Sequence, residues 1–173
     1  ESVVLVNPVT TPRDPSTITY DGGDRVEASF PIAMTRAAGQ QNPGSVLAGA
    51  VEMASTDAWG TAYVIPVGED TTTSGYTDAF QYTAAYVMAS ADNTEVTVSG
   101  QGTFILAQGE TRVFQVDEGD TIDSSKPVQV DLVTGDVNST WEMRWYSLAP
   151  TEDWTNEYYA PFAEEVGDTG FWF

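Results

Sequence analysis

Apolar residues recur at every second position in several short runs of this chain, and helical spacing is nearly absent. TEVTV (residues 94–98) and TRVFQV (residues 111–116) alternate in this way, as strands with one solvated face do. AAYVMAS (residues 84–90) is apolar almost throughout and predicts a central strand. Gly, Pro, Asp, Asn and Ser separate these runs about every 8–12 residues. The pattern is typical of an all-β sandwich, barrel or propeller piece, and we expect a sandwich-like or propeller-segment domain.

The individual strands follow from the same alternation and punctuation. They are predicted at residues 3–6, 17–20, 25–30, 32–35, 46–54, 62–67, 80–90, 95–99, 103–107, 111–116, 128–133, 141–148 and 158–159. DNT at residues 92–94 predicts a hairpin turn.

One segment of the sequence occurs twice in similar form. DRVEASFPIAM begins at Asp24, and DTIDSSKPVQV begins at Asp120, 96 positions later. Each copy follows a tight turn, DGGD or DEGD, in which glycine supplies a positive φ. Each also contains a proline, Pro31 or Pro127, which suits a strand start or edge.

A second pair of segments repeats at nearly the same interval. STDAWGTAYVIP (residues 55–66) corresponds to PTEDWTNEYYAP (residues 150–161), so that Trp59 matches Trp154 and Tyr63 matches Tyr158, 95 positions on. Both repeats predict two duplicated antiparallel β units that cover each other's apolar faces. We place an N-terminal strand or arm at 1–15, the first unit at 16–100, the second at 101–166, and a C-terminal strand or cut end at 167–173.

Composition narrows the class of protein. The 173 residues include 26 acidic and 6 basic side chains, a net charge of −20, with 41% hydrophobic content. Such a charge excludes nucleic-acid binding and is typical of a salt-adapted microbe. The chain has no cysteine, which excludes disulfides, and no histidine, which excludes the commonest catalytic base. The sequence has no apolar run long enough to span a membrane as a helix.

Four motifs together resemble a known family. ASADNTEVTV, LAQGETRVFQV, GDTIDSSKPVQV and DAWGTAYVIP are similar to the N-terminal domain family of the IgGFc-binding protein, over about residues 16–162. The resemblance implies an extracellular adhesive or matrix role within a large secreted or cell-surface protein. It implies no catalytic residues, and it does not imply immunoglobulin binding by this chain.

The duplicated turns carry carboxylates. Asp21 and Asp24 lie in the first, and Asp117 and Asp120 in the second. Oxygen-rich turns bind calcium when they supply six to eight ligands, although neither turn has the spacing of an EF-hand loop. A plain solvated turn and a weak calcium site are both open. Asn138 begins NST, the chain's N-glycosylation sequon.

An aromatic region near the end of the second unit is the other candidate site. Trp141, Trp145, Trp154 and Tyr158 lie there among carboxylates, which would suit stacking on sugar rings. The competing interpretation is that they form core and cross-strand pairs. Acidic pairs in the same region match chance expectation for so acidic a chain, so no enzyme is predicted.

The two ends of the sequence are apolar, and they predict assembly through exchanged strands. The competing interpretation is that they are boundaries within a longer protein. The residues are Val3, Val4, Leu5 and Val6 near the start and Phe171, Trp172 and Phe173 at the end.

The sequence therefore predicts a non-enzymatic extracellular or cell-surface protein of a salt-adapted microbe, either a structural or an adhesion protein. It would act through self-association or contacts with other surface proteins, as a filament or surface-layer component. The alternative is a glycan- or protein-binding module of a larger secreted surface protein, and a virion surface component is a third interpretation. No cofactor is predicted other than the calcium already considered.

Overall fold

The computed structural model describes residues 25–38, 49–68, 82–135 and 144–159. These ranges contain strands and two short 3-10 turns, Thr56–Ala58 and Thr151–Asp153, which confirms the predicted all-β fold. The strands are β1 (Thr35–Ala38), β2 (Gly49–Glu52), β3 (Gly60–Val64), β4 (Tyr82–Ala89), β5 (Thr94–Val98), β6 (Gly102–Leu106), β7 (Thr111–Gln115), β8 (Thr121–Gly135) and β9 (Arg144–Ser147).

The fold is organised around β8, a strand of 15 residues. Its first half pairs antiparallel with β3 and β5, and its second half pairs antiparallel with β4 and β9. The sheet continues from β5 to β6 on one side and from β4 to β7 on the other. All the described strands except β1 and β2 thus belong to one sheet.

β8 serves both halves of the sheet because its partner strand changes near its middle. Pairing with β5 ends at Ser124, and pairing with β4 begins at Val128. Pro127 lies between them and has no N–H to donate to a ladder. The Lys126 ammonium donates to the carbonyl oxygen of Asp92, in the turn between β4 and β5, at 2.6 Å. The SSKPV motif therefore lies where β8 passes from one partner strand to the other.

The two outer strands of the sheet meet and nearly close it into a barrel. The rings of Phe104 in β6 and Phe114 in β7 lie 5.2 Å apart, and the Arg112 guanidinium lies 3.9 Å from the Phe104 ring centroid. The Gln101 side-chain amide donates to the carbonyl of Gln115 at 2.6 Å. The enclosed core contains Tyr63, Ile65, Val67, Ala85, Val87, Ala89, Val96, Val98, Leu106, Phe114, Val116, Ile122, Val128, Val130 and Leu132.

The predicted hairpin at residues 92–94 is wrong, although a turn is present. Asn93 has a φ of 53°, and the Thr94 hydroxyl donates to the carbonyl of Ala91 at 2.6 Å. However, β4 pairs with β7 and β8, whereas β5 pairs with β6 and β8. The turn therefore carries the chain from one half of the sheet to the other.

Two predicted strands, at 25–30 and 158–159, are not strands in the structure. No strand within the described ranges pairs with either segment, and alternation alone cannot form a strand without a neighbour. The strand predicted at 32–35 begins only at Thr35. Those predicted at 3–6 and 17–20 lie outside the described residues.

The hairpin β1–β2 is a second copy of β8–β9. Thr35 pairs with Glu52 as Asp131 pairs with Ser147, and the next three residue pairs correspond in the same way. Each residue of β8 is 96 positions after its counterpart, and each residue of β9 is 95 positions after its own. The repeat read from the sequence is therefore also a repeat of backbone register. The predicted unit boundaries stay a prediction.

Candidate functional site

Each hairpin leads into the same local structure, which we call the Trp–Tyr turn (first copy, residues 55–63; second copy, residues 150–158). In both copies a 3-10 turn is followed by a tryptophan in extended conformation. The indole N–H donates to the carbonyl five residues earlier, from Trp59 to Ala54 at 3.2 Å and from Trp154 to Ala149 at 3.3 Å. Four residues beyond each tryptophan stands a tyrosine.

The tyrosine closes each turn through its hydroxyl oxygen. That oxygen accepts the backbone N–H three residues earlier, from Gly60 to Tyr63 at 2.9 Å and from Thr155 to Tyr158 at 3.0 Å. The same bonds thus form in both copies. The turn's internal structure is consequently local, independent of what surrounds it.

The first Trp–Tyr turn is docked on the sheet. Its tyrosine strand is β3, in which Tyr63 lies opposite Ile122 and Ala62 lies opposite Asp123 of β8. The Tyr63 hydroxyl donates to the carbonyl of Val128 at 2.6 Å, and only 2% of the residue is exposed. This burial raises the pKa of Tyr63.

The second Trp–Tyr turn is open. Trp154 is 53% exposed, Tyr158 73% and Tyr159 85%. No strand of the described ranges pairs with residues 155–159. Several exposed aromatic residues within one short segment often mark a contact surface.

A matching surface lies at the other end of the described chain. Residues 25–34 are the sequence counterpart of the first half of β8, shifted by 96 positions. Val26, Ile32 and Met34 are 47%, 60% and 40% exposed, whereas their counterparts Ile122, Val128 and Val130 are fully buried. Phe30 is exposed as well. Sequence reasoning missed this surface, although the repeat itself relates Val26 and Ile32 to β8, the strand with which the strand of Tyr63 pairs.

The two copies also contact each other. The Glu152 carboxylate, in the second Trp–Tyr turn, accepts the backbone N–H of Thr61 in β3 at 2.8 Å. That hydrogen bond lowers the pKa of Glu152. A Cβ added at Gly60 would lie 2.2 Å from the Cβ of Pro150, so glycine permits this close approach.

Trp145, predicted as a binding residue, lies instead in a small core. It is 8% exposed and packs with Ala84, Tyr86 and Val133. The guanidinium of Arg36, from the first hairpin, lies 4.8 Å from its ring centroid. Its ring is therefore covered and cannot stack on a ligand. Of the four predicted aromatic residues, Trp154 and Tyr158 are both exposed in the second Trp–Tyr turn, and Trp141 lies outside the described residues.

The predicted acidic turn at Asp117 and Asp120 is held by its own carboxylate. Asp120 accepts the backbone N–H of Asp117 at 2.9 Å and the hydroxyl of Ser99 at 2.7 Å. Gly119 has a φ of 84°, as the turn prediction requires. Within the described residues no three acidic groups come together as a metal site. Calcium binding there stays a prediction.

Several predicted residues lie outside the described residues. They are Asp21 and Asp24 of the first acidic turn, the sequon residue Asn138, and the apolar ends Val3, Val4, Leu5, Val6, Phe171, Trp172 and Phe173.

A shallow depression of about 350 Å³ contains two further carboxylates. Asp92 accepts the backbone N–H of Gln108 at 2.9 Å, and Glu110 accepts that of Ala107 at 2.8 Å. Both groups thus support loop ends. The depression is lined by Asp92, Asn93, Ile105, Leu106, Ala107 and Glu110.

The sequence profile of the IgGFc binding protein family matches residues 22–169, which is most of the chain. No curated protein and no solved structure matches the chain. None of the helical segments in the described ranges is long and apolar enough to cross a membrane.

Proposed function

We propose that this chain, which belongs to the IgGFc binding protein family, is a non-enzymatic protein-binding module of a secreted or cell-surface protein, with the open Trp–Tyr turn as its contact surface. One observation carries the proposal. The same turn occurs twice, and the copy whose tyrosine is covered is covered by a β-strand. Strand addition of this kind is a common way in which proteins bind polypeptide segments.

The acidic composition supports an extracellular, salt-adapted setting. A net charge of −20 on 173 residues keeps the molecule soluble when salt screens its self-repulsion. In that setting the exposed aromatic residues supply the short-range attraction to a partner protein, which the net negative charge does not supply. The module would then serve a structural or adhesive role in the protein that carries it.

Photo-cross-linking in the native protein tests this function. Tyr159, which directly follows the open turn, is replaced by benzoylphenylalanine because it is 85% exposed. We expect covalent adducts to polypeptide, identified by mass spectrometry, and far fewer from the same replacement at Val113, which is 44% exposed on β7. Equal yields at both positions, or no polypeptide adduct at Tyr159, would contradict the proposal.

A glycan is the second candidate ligand, favoured by the same exposed rings beside a carboxylate. The Tyr159 hydroxyl donates to the Glu157 carboxylate at 2.7 Å, which leaves the ring face open for stacking on a sugar. A glycan array probed with the chain and with Trp154→Ala separates the two ligands. Binding that Trp154→Ala abolishes would favour the glycan, whereas an empty array leaves the protein partner.

A further inference from the structure

We infer that the partner of the open Trp–Tyr turn is a second copy of this chain, whose residues 25–32 accept residues 155–159 as an added strand. This inference rests on the proposed function and names its partner. The argument is that the molecule already contains both halves of the contact. The first Trp–Tyr turn is docked on the first half of β8. The second turn and the counterpart of that half-strand are both exposed.

The intramolecular pair fixes the register of the contact between copies. Tyr63 lies opposite Ile122, and Ala62 opposite Asp123. Shifting β3 by 95 positions and β8 by 96 places Tyr158 opposite Val26 and Glu157 opposite Glu27 of the next copy. The Tyr158 hydroxyl then faces the carbonyl of Ile32, as the Tyr63 hydroxyl faces that of Val128.

Apolar groups complement each other in this register. The 73% exposed ring of Tyr158 would cover Val26 and Ile32, which are 47% and 60% exposed in the free chain. Docking therefore removes exposed aromatic and aliphatic surface from both copies at once. Neither Val26 nor Ile32 has another partner strand among the described residues.

Two like charges that face each other make the contact between copies depend on salt. Glu157 and Glu27 face each other on the outer side of the added strand, and like charges directly opposite destabilise a pair. Arg25 forms an ion pair with Glu27 and partly offsets this repulsion. Added salt further screens the net charge of each copy. Association should therefore tighten as the ionic strength rises.

One position departs from the internal template. Thr155 replaces Gly60, and a side chain at Gly60 would meet Pro150. In the contact between copies, Thr155 would meet Ser55, the counterpart of Pro150, so the strand must shift locally. The contact between copies is consequently weaker than the intramolecular one.

Each copy offers one donor strand and one acceptor, so the contact is head-to-tail. A contact of this type does not close on itself unless its rotation forms a ring, and it otherwise produces open chains. Blocking the donor of one copy and the acceptor of another leaves a single usable contact. Two such variants should form a 1:1 complex that grows no further.

Sedimentation velocity of the whole chain tests this asymmetry, over a wide concentration range and from about 0.1 M to about 2 M salt. Wild type should form larger species as concentration and salt rise. Tyr158→Asp and Val26→Asp should each stay monomeric, with apparent dissociation constants raised at least about tenfold, and their mixture should form a heterodimer. Ile105→Asp, an exposed apolar position on β6, is the matched control and should assemble as wild type does.

A disulfide tests the register, because the chain has no cysteine of its own. Directly opposed residues in a sheet lie within disulfide range, so Glu27→Cys with Glu157→Cys should give covalent ladders on oxidation. Ala28→Cys with Glu157→Cys should not, since neighbouring residues face opposite sides of a strand.

Three sedimentation results would overturn the inference: wild type that stays monomeric at every concentration and salt, assembly of Tyr158→Asp or Val26→Asp alone, or a mixture of the two that forms no heterodimer. Covalent ladders from both cysteine pairs would overturn it as well. A covalently closed monomer would also overturn it. Photo-cross-linking at Tyr159 distinguishes failure of the self-association from failure of the proposed function. Polypeptide adducts from another protein would leave the proposed function standing without self-association, and no adduct would remove both.

Discussion

The docked and open Trp–Tyr turns differ in what covers them and hardly at all in how they are built. Both contain the 3-10 turn, the indole hydrogen bond and the tyrosine hydrogen bond, with closely similar distances. Tyr63 is nevertheless 2% exposed and Tyr158 is 73% exposed. The comparison separates local structure, which needs only the segment itself, from strand formation, which needs a neighbour.

The two acceptor segments differ in the same way. The first half of β8 lies between β3 and β5, and Ile122, its second residue, is fully buried. Residues 25–30 carry the same pattern, yet they form no strand and leave Val26 half exposed. One molecule therefore presents a completed contact and both halves of an uncompleted one.

The largest expected effect is the loss of the docked tyrosine. Tyr63→Ala removes a buried ring and its hydroxyl bond to β8, and should lower the free energy of unfolding by about 3–5 kcal/mol. Tyr158→Ala removes an exposed ring, and should change it by less than about 0.5 kcal/mol. Urea unfolding of both variants checks this. Equal losses would mean that the open turn also contributes to the folded core.

Two single substitutions, Gly60→Thr and Thr155→Gly, probe the close approach of the two Trp–Tyr turns within one chain. Gly60→Thr places a side chain against Pro150 and should destabilise the chain by about 1–3 kcal/mol, as overpacking does. Thr155→Gly should leave the unfolding of the monomer within about 0.5 kcal/mol of wild type. The same urea titration measures both. A tolerated Gly60→Thr would show that the second turn can move away from β3.

Alkaline pH should weaken the docked copy. Burial raises the pKa of Tyr63 above its ordinary value of 10.0, so the folded state favours the protonated phenol. Its contribution is complete below pH 10 and is lost as the pH rises through the folded-state pKa. Thermal unfolding from pH 8 to pH 11 should therefore show a decline that is smaller in Tyr63→Phe. Tyr146, whose pKa burial also raises, contributes to the decline that remains in Tyr63→Phe. Identical declines in both proteins would assign the effect elsewhere.

The smallest effect concerns the contact between Glu152 and Thr61. The hydrogen bond lowers the pKa of Glu152, so the carboxylate stabilises the fold above its unfolded value of 4.5, and this is lost as the pH falls through the folded-state pKa. Because Glu152 is exposed, Glu152→Gln should cost less than about 1 kcal/mol at pH 7 and nothing at low pH. Asp57→Asn, the counterpart in the first turn, is the control and should be neutral. A pH-independent loss in Glu152→Gln would rule out the charge as the cause.

Much of the architecture could be predicted from alternation and repetition. The strands β4 to β7 lie within two residues of their predicted bounds, because each has a solvated face or a wholly apolar run. The repeat of Trp59 and Tyr63 at Trp154 and Tyr158 predicted a shared structure, and the shared hydrogen bonds agree with it.

The candidate site could be predicted only in part. Trp154 and Tyr158 were among the aromatic residues singled out, but Trp145 looks the same in sequence and is covered by Ala84, Tyr86 and Val133. The sequence does not identify Val26 and Ile32 as exposed contact residues, because apolar residues in an alternating segment predict a buried strand. Exposure depends on the neighbour, and the sequence does not say which neighbour is present.

The sequence by itself determined the all-β class, the family, the acidic surface and the local form of both Trp–Tyr turns, because each of these depends on composition or on residues close together in the chain. Only the tertiary structure decided that β8 pairs along two halves of the sheet. It alone also decided that one tyrosine is buried and its copy is not. These outcomes depend on pairing between residues that are distant in the chain, such as Ala89 with Val128, 39 positions apart, and Tyr63 with Ile122, 59 positions apart. Local sequence patterns carry no information about such partners.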